Sequence, residues 1–194
     1  VHNLRRKKPT DPLAPPELRD LAPEARYQKG LAARRSNPRK RVLTFEPQPD
    51  RADPLEILKL QEATRIPELL PLRHFRMSQS AFAFYRGSAV LMANDLGRNR
   101  PHSGLMAQLC GDAHIANFGM FASPDRSLIF DINDFDETHR GPFEWDVMRL
   151  VTSCLLLAKD NGFKRDEARM IALHAAEAYR CLLYTSDAAD DTPC

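Results

Sequence analysis

The chain has 194 residues, of which 43% are hydrophobic and 28% are charged, and its formal net charge is +2. These proportions are typical of a soluble globular protein. No apolar run approaches the roughly 18 residues of a membrane-spanning helix, so we expect no membrane partner. The mild positive charge fits an anionic substrate without specifying one.

A leader rich in Pro and Arg occupies residues 1–52, and its prolines interrupt any long helix. Basic residues cluster at 5–8 and 34–41, as in a nucleic-acid-binding arm. No aromatic residue interleaves with the second cluster, which favours a partly disordered leader, solvated or loosely docked. We therefore do not expect a nucleic-acid partner.

Helical signals begin at residue 53. Asp53 and Pro54 are a typical N-cap and first helical residue, which predicts a helix from there to about Arg65. The Ile-Pro pair that follows breaks this helix, and a second helical stretch is predicted to end at Met77. Residues 81–84 alternate between Ala and Phe, the period of a short strand or extended segment.

A buried helix is predicted over 87–96, and the apolar run 105–110 is predicted to be a buried strand that feeds a loop. Strands at 118–121 and 127–132, joined by a Pro-Asp turn, form a predicted hairpin. A helix with a wide apolar face is predicted from Glu144 to the Asn-Gly pair near residue 161, followed by a last helix over 164–180. This element order indicates an α+β fold.

The remaining composition points to a cytoplasmic protein. The N-terminal residues lack the apolar stretch of a secretory signal. Cys110 and Cys154 lie far apart in apolar runs, which predicts buried thiols in a reducing compartment. Residues 181–191 resemble a translated sequencing-library adapter, so we expect 181–194 to be an artefactual tail, with a natural polar tail as the alternative.

Two polar segments, 111–119 and 130–137, place carboxylates at the ends of predicted strands, where a loop exposes them. Asp112 and Asn117 lie in the first segment, and the hairpin returns the chain to Asp134. Phosphoryl transfer needs this combination. One Asp orients the attacking hydroxyl, and an Asn and a second Asp hold magnesium against nucleotide phosphates.

The pattern Gly-Asp-x-His-x-x-Asn, followed by a hairpin and Asp-Phe-Asp, is similar to the catalytic and metal loops of aminoglycoside and choline kinases. Residues 55–180 more closely resemble the bacterial family known as domain of unknown function 2252. The motifs that carry this resemblance are Arg73-x-x-Arg76-Met77, Phe84-Tyr85-Arg86-Gly87, Gly111-Asp112-Ala113-His114, Asn117-Phe118-Gly119, Asn133-Asp134-Phe135-Asp136-Glu137-Thr138 and Gly141-Pro142-Phe143-Glu144-Trp145-Asp146.

The resemblance implies a protein-kinase-like (aminoglycoside-phosphotransferase-like) catalytic region over 53–180, incomplete at both ends. It implies Mg²⁺ and ATP as cofactors and an unidentified hydroxyl compound or protein as phosphoryl acceptor. It leaves the oligomeric state open. Asp112 corresponds to the catalytic aspartate, Asn117 to a metal ligand and Asp134 to the main metal aspartate.

The remaining candidate residues have alternative interpretations. Asp131 and Asp136 are further metal-ligand candidates, although Asp131 is favoured as a structural residue and Asp136 could belong to a solvated turn. His114 and Arg86 are candidate nucleotide-binding residues. His114 is expected mainly to brace its loop, and Arg86 contacts either a phosphate or, as the favoured interpretation, a nearby carboxylate. Asp146 is expected to be a buried brace that caps the following helix.

Two other functions stay open. In a metal-dependent phosphoesterase, Asp112 and His114 with the aspartates of the second segment would hold two cations that activate water. In an inactive kinase-like binding module, the same loops would bind without chemistry. Residues 1–110 contain no G-x-G-x-x-G pattern, and Lys59 falls on a predicted helix rather than on a strand. The sequence therefore shows neither the glycine-rich loop nor the strand lysine with which kinases usually bind the ATP phosphates.

Overall fold

The computed structural model describes residues 21–38, 40, 41, 46, 47, 49–98 and 101–185. These residues form helices and two small antiparallel sheets, so the predicted α+β class is confirmed. The helices are α1 (Pro23–Ser36), α2 (Pro54–Glu62), α3 (Leu70–Met77), α4 (Ala81–Gly87), α5 (Ala89–Gly97), α6 (Glu144–Asp160) and α7 (Arg165–Thr185). The strands are β1 (Met106–Leu109), β2 (Phe118–Ala122), β3 (Leu128–Ile132) and β4 (His139–Pro142).

Helix α1 lies in the leader. Helix α1 begins at a proline, which is compatible with the first turn because that position needs no N–H donor. It has no buried residue. The basic cluster at 5–8 lies outside the described residues. Helix α1 therefore contributes nothing to the described core.

Helix α2 begins as predicted, because the carboxylate of Asp53 accepts a hydrogen bond from the backbone N–H of Leu55 at 2.7 Å. A 3₁₀ turn at Pro67–Leu69 leads into α3, which ends at Met77 as predicted. The strand predicted around 82–84 is wrong. The Ser80 hydroxyl accepts from the N–H of Ala83 and caps helix α4 instead.

Each of the two sheets is an antiparallel pair of strands. Strand β2 pairs with β3 in the predicted hairpin, with Phe118 opposite Ile132. Strand β1 pairs with β4, which the sequence analysis did not predict, and Leu109 lies opposite His139. The ends of β1 and β3 thereby bring the two polar segments to one region of the molecule.

Helix α6 is the centre of the core and packs along α7. Its buried residues include Leu150, Cys154 and Ala158, and the buried residues Ala168 and Ala172 of α7 are small, which favours a close approach of the two helices. Cys110 and Cys154 are buried and free, as predicted. In the described part of the chain, no helix has both the length and the apolar composition needed to cross a membrane.

Candidate functional site

A stripe of three buried polar side chains on α6 holds the first polar segment. Asp146, Arg149 and Ser153 are 7%, 2% and 0% exposed. They are spaced three and four residues apart, so they lie on one helix face. Each of them bonds a different point of the segment that follows β1, so a single helix fixes that segment at several positions.

Asp146 fixes the start of the segment. Its carboxylate accepts hydrogen bonds from the backbone N–H groups of Cys110, at 2.7 Å, and Gly111, at 3.2 Å. Burial raises the pKa of Asp146, and these two bonds act in the opposite direction. The predicted buried brace is confirmed, but the predicted cap on α6 is wrong, because the side chain bonds the preceding loop rather than its own helix.

Gly111 is where the two polar segments touch. Its φ is +86°, a left-handed conformation that favours glycine. A Cβ atom at this position would overlap the carbonyl oxygen of Glu137 in the second segment. The glycine that opens the Gly-Asp-x-His pattern is therefore required by both the turn and the close approach.

Asp112 forms an ion pair with Arg149. The Arg149 Nε donates to Asp112 Oδ1 at 2.5 Å, and the two side chains are 3% and 20% exposed. The same guanidinium donates to the backbone carbonyl of Tyr85 at 2.9 Å and lies 4.4 Å from the centre of the Tyr85 ring. Helix α4, the loop and helix α6 thus meet at one arginine.

His114 lies buried beside Asp112. Its Nε2 is 3.8 Å from Asp112 Oδ2, its ring packs edge-on against Phe82, and its Nδ1 has no hydrogen-bond partner among the described residues. Burial lowers the pKa of His114, and the positive charges of Arg149 and Arg86 lower it further, whereas Asp112 opposes the shift. At neutral pH the ring is therefore uncharged.

The lowered pKa of His114 makes stability depend on pH. Below the ordinary pKa of about 6.5, the unfolded chain binds a proton that the folded chain does not, so the free energy of unfolding falls as pH decreases from 7.5 to 5.5. We expect His114→Gln to show a smaller fall than the parent chain in urea titrations at the two pH values. His174→Gln, at an exposed histidine on α7, is the matched control. An unchanged fall in His114→Gln would contradict the assignment.

Asn117 joins the two segments. Its side-chain Nδ2 donates to the carbonyl of Asp112 at 2.8 Å, and its own backbone carbonyl accepts from the N–H of Asn133 at 3.0 Å.

Cys110 also links the two segments, because its thiol donates to the carbonyl of Asp134 at 3.2 Å. Burial raises the pKa of Cys110 to about 11, and the negative charges of Asp112, Asp134 and Asp146 contribute to the same direction. The structure therefore brings together the neighbourhoods of Asp112, Asn117 and Asp134.

The other predicted carboxylates are exposed and bond locally. Asp131 Oδ1 accepts from the N–H of Ile132, the next residue along β3. Asp134 Oδ1 accepts from the N–H of Asp136 at 3.2 Å, which forms a tight turn. Over the described ranges, no group of three His, Cys, Asp or Glu side chains is arranged to hold a metal ion.

A family model described as an uncharacterized protein conserved in bacteria, DUF2252, matches residues 65–191. The chain belongs to the DUF2252 family. No curated protein matches the chain, and no solved structure matches it either. The DUF2252 match includes α3 to α6, and so it contains every residue of the site described above.

The motifs that carried the DUF2252 resemblance contact one another in the structure. Arg73 donates to the carbonyl of Gly87, and a Cβ at Gly87 would lie 2.6 Å from Met77 Cγ.

Two residues of the site, Arg149 and Ser153, were not among the predicted site residues. Ser153 accepts from the N–H of Ile115 at 2.9 Å. Their signal in the sequence is the spacing of polar residues along an otherwise apolar helix face.

Arg86 does not form the predicted ion pair. Its side chain is exposed and, among the described residues, makes no salt bridge or hydrogen bond. It lies near enough to His114 to lower the pKa of that ring. A charged guanidinium without a protein partner is available to an anionic ligand.

Proposed function

We propose that this DUF2252 protein is a magnesium-dependent phosphotransferase with a protein-kinase-like fold. It would move a phosphoryl group from a nucleotide, with ATP as the expected donor, to a hydroxyl group of a small molecule or protein. The observation that supports this most is the convergence of the Gly111–Asn117 loop with the loop that contains Asp134. Phosphoryl transfer depends mainly on positioning and electrostatics, which two braced polar loops supply.

Asp112 is the residue proposed to orient the acceptor hydroxyl. Its Oδ1 is occupied by Arg149, whereas Oδ2 faces His114 at 3.8 Å, beyond hydrogen-bond distance. A carboxylate held by a charged guanidinium keeps one orientation. Its second oxygen can accept a hydrogen bond from an incoming hydroxyl group.

Asn117 and Asp134 are the residues proposed to hold magnesium. The Asn117 amide uses Nδ2 to bond the Asp112 carbonyl, which leaves its Oδ1 as the amide atom that could face an ion. Mg²⁺ is commonly held by one or two side-chain oxygens together with substrate phosphates and water, so this sparse oxygen set fits it. When bound, the ion would neutralise charge on the transferring group. Asp131 and Asp136 are secondary candidates on this proposal.

The phosphoesterase alternative has less support. A preformed two-cation site would need several ligands around each ion. The described residues contain no group of three acidic, His or Cys side chains within reach of one ion. A binding module without chemistry remains the second candidate, because the same braced loops would hold a nucleotide without transferring its phosphate.

The proposal is tested by isothermal titration of ATP into the chain, with Mg²⁺ and with EDTA. We expect binding that requires Mg²⁺, and Asp134→Asn should weaken it at least about tenfold by removing a charged ligand. Asp112→Asn should retain most of the affinity, because the hydroxyl-orienting residue does not hold the nucleotide. Asp166→Asn, at an exposed acid on α7, is the control.

Circular dichroism of each variant separates loss of binding from loss of fold. If the folded chain binds no nucleotide with Mg²⁺, the phosphotransferase proposal fails. If it binds Mg²⁺ and ATP but Asp134→Asn binds equally well, the assigned metal site is wrong. If nucleotide is bound and never hydrolysed or transferred in a screen of hydroxyl acceptors, the binding-module alternative is favoured.

A further inference from the structure

A second concave site lies beside the polar loops. It is a cavity of about 680 Å³ between the segment that contains α3 and helix α4. We call it the arginine cleft, after the four arginines that line it: Arg65, Arg73, Arg76 and Arg86. Its apolar wall is formed by side chains such as Ile66, Leu69, Leu72, Met77 and Phe82.

Local structure explains why the arginines converge. Arg73 and Arg76 are three residues apart on α3 and lie on neighbouring positions of one face. Gly87 ends α4 and packs directly on Met77, which brings Arg86 to the opposite wall. Arg73 donates to the carbonyl of Gly87, so the two walls are held together by a hydrogen bond as well as by packing.

The charge in the cleft is not compensated by the protein. The guanidinium groups of Arg65, Arg76 and Arg86 form no ion pair or hydrogen bond with the described part of the chain. Burial lowers the pKa of Arg73, and repulsion from Arg65 lowers it further. Glu62 acts in the opposite direction, but its carboxylate is paired with His74. No described Asp or Glu lines the cleft.

We propose that the arginine cleft binds a small organic phosphate that carries at least two negative charges. Guanidinium groups bind phosphate oxygens through paired hydrogen bonds and remain charged at all physiological pH values. The volume is that of a small-molecule site, and the apolar wall can bury the organic part of the ligand. A bound phosphate would also relieve the repulsion between the arginines.

The cleft adjoins the candidate active site through one aromatic residue. Phe82 lines the cleft, and its ring lies 6.3 Å from the ring of His114, centre to centre. Arg86 lines the cleft on the same helix, one turn later, and lowers the pKa of His114. A phosphate held there would lie next to the Gly111–Asn117 loop. The binding claim itself requires neither Mg²⁺ nor phosphoryl transfer.

The test is isothermal titration of pyrophosphate into the chain in EDTA. We expect saturable binding, with Arg76→Gln and Arg86→Gln each weakening it about tenfold, the usual effect of losing one charge-assisted contact. The double variant should show no measurable binding. Arg73 is left intact because it bonds the backbone of Gly87. Arg169→Gln, at an exposed arginine on α7 outside the cleft, should bind like the parent chain.

The outcomes separate this proposal from the phosphotransferase. Pyrophosphate affinity should be unchanged in Asp134→Asn, because that residue does not line the cleft. The cleft proposal is overturned if the folded chain does not bind pyrophosphate, or if the Arg76→Gln/Arg86→Gln variant binds it as tightly as the parent chain. Neither result bears on Mg²⁺-dependent ATP binding, which is measured separately. Displacement of pyrophosphate by a single-stranded oligonucleotide, with affinity that increases with its length, would assign the arginines to nucleic acid instead and also overturn it.

Discussion

Replacing Arg149 with methionine is expected to lower the free energy of unfolding by about 3–5 kcal/mol, the usual cost of breaking a buried ion pair from one side. Methionine fills much of the volume but leaves the Asp112 carboxylate, which is 20% exposed, without its charged partner. It also removes the donor to the Tyr85 carbonyl and the contact with the Tyr85 ring. The loop, α4 and α6 would lose their common contact.

Urea titration at pH 7.5 measures this effect, and two further variants show its origin. Arg149→Lys keeps the charge but loses the fork that bonds Asp112 and Tyr85 together, so we expect an intermediate loss. The double variant Arg149→Met/Asp112→Asn should be more stable than Arg149→Met alone, because no unpaired charge remains. Equal stability of Arg149→Met and the parent chain would show that the ion pair does not hold the loop.

Much of the secondary structure could be predicted from the sequence, because its signals are local. The Asp53-Pro54 start of α2, the Pro-Asp turn of the hairpin and the apolar period of α6 each determine their own element. Residues 82–84 show the limit of this reasoning. Their alternation of Ala and Phe favours a strand, yet Ser80 caps a helix there, and Asp160 accepts from the N–H of Phe82.

The candidate site was only partly predictable for a different reason. The residues that could be predicted, such as Asp112, Asn117 and Asp134, lie in two short polar segments that match motifs of the DUF2252 family. The side chains that hold the first of these segments lie on α6, more than 30 residues later in the sequence. Asp160 extends the stripe of Asp146, Arg149 and Ser153 by two more turns and caps α4. The stripe follows the helical period, but only the folded chain shows which loop each of its side chains bonds.

Gly111→Ala is expected to destabilise the chain by about 2–5 kcal/mol and to abolish Mg²⁺-dependent ATP binding. The left-handed backbone at φ +86° costs an alanine about 1–2 kcal/mol. Overlap of the new Cβ with the carbonyl of Glu137 adds about 1–3 kcal/mol, as in other overpacked sites. The second contribution can be relieved only if the loop containing Asp134 moves away from Asp112.

Gly162→Ala separates the two contributions. Gly162 has a similar positive φ of +76°, but no atom lies within 4 Å of a Cβ placed there. This variant should therefore lose only the conformational part of the stability, measured by urea titration, and should bind ATP like the parent chain. Equal losses of stability in the two variants would show that the Glu137 loop does not pack on Gly111. Loss of ATP binding only in Gly111→Ala would tie nucleotide binding to the Gly111 turn, where the two polar segments touch, rather than to backbone strain in general.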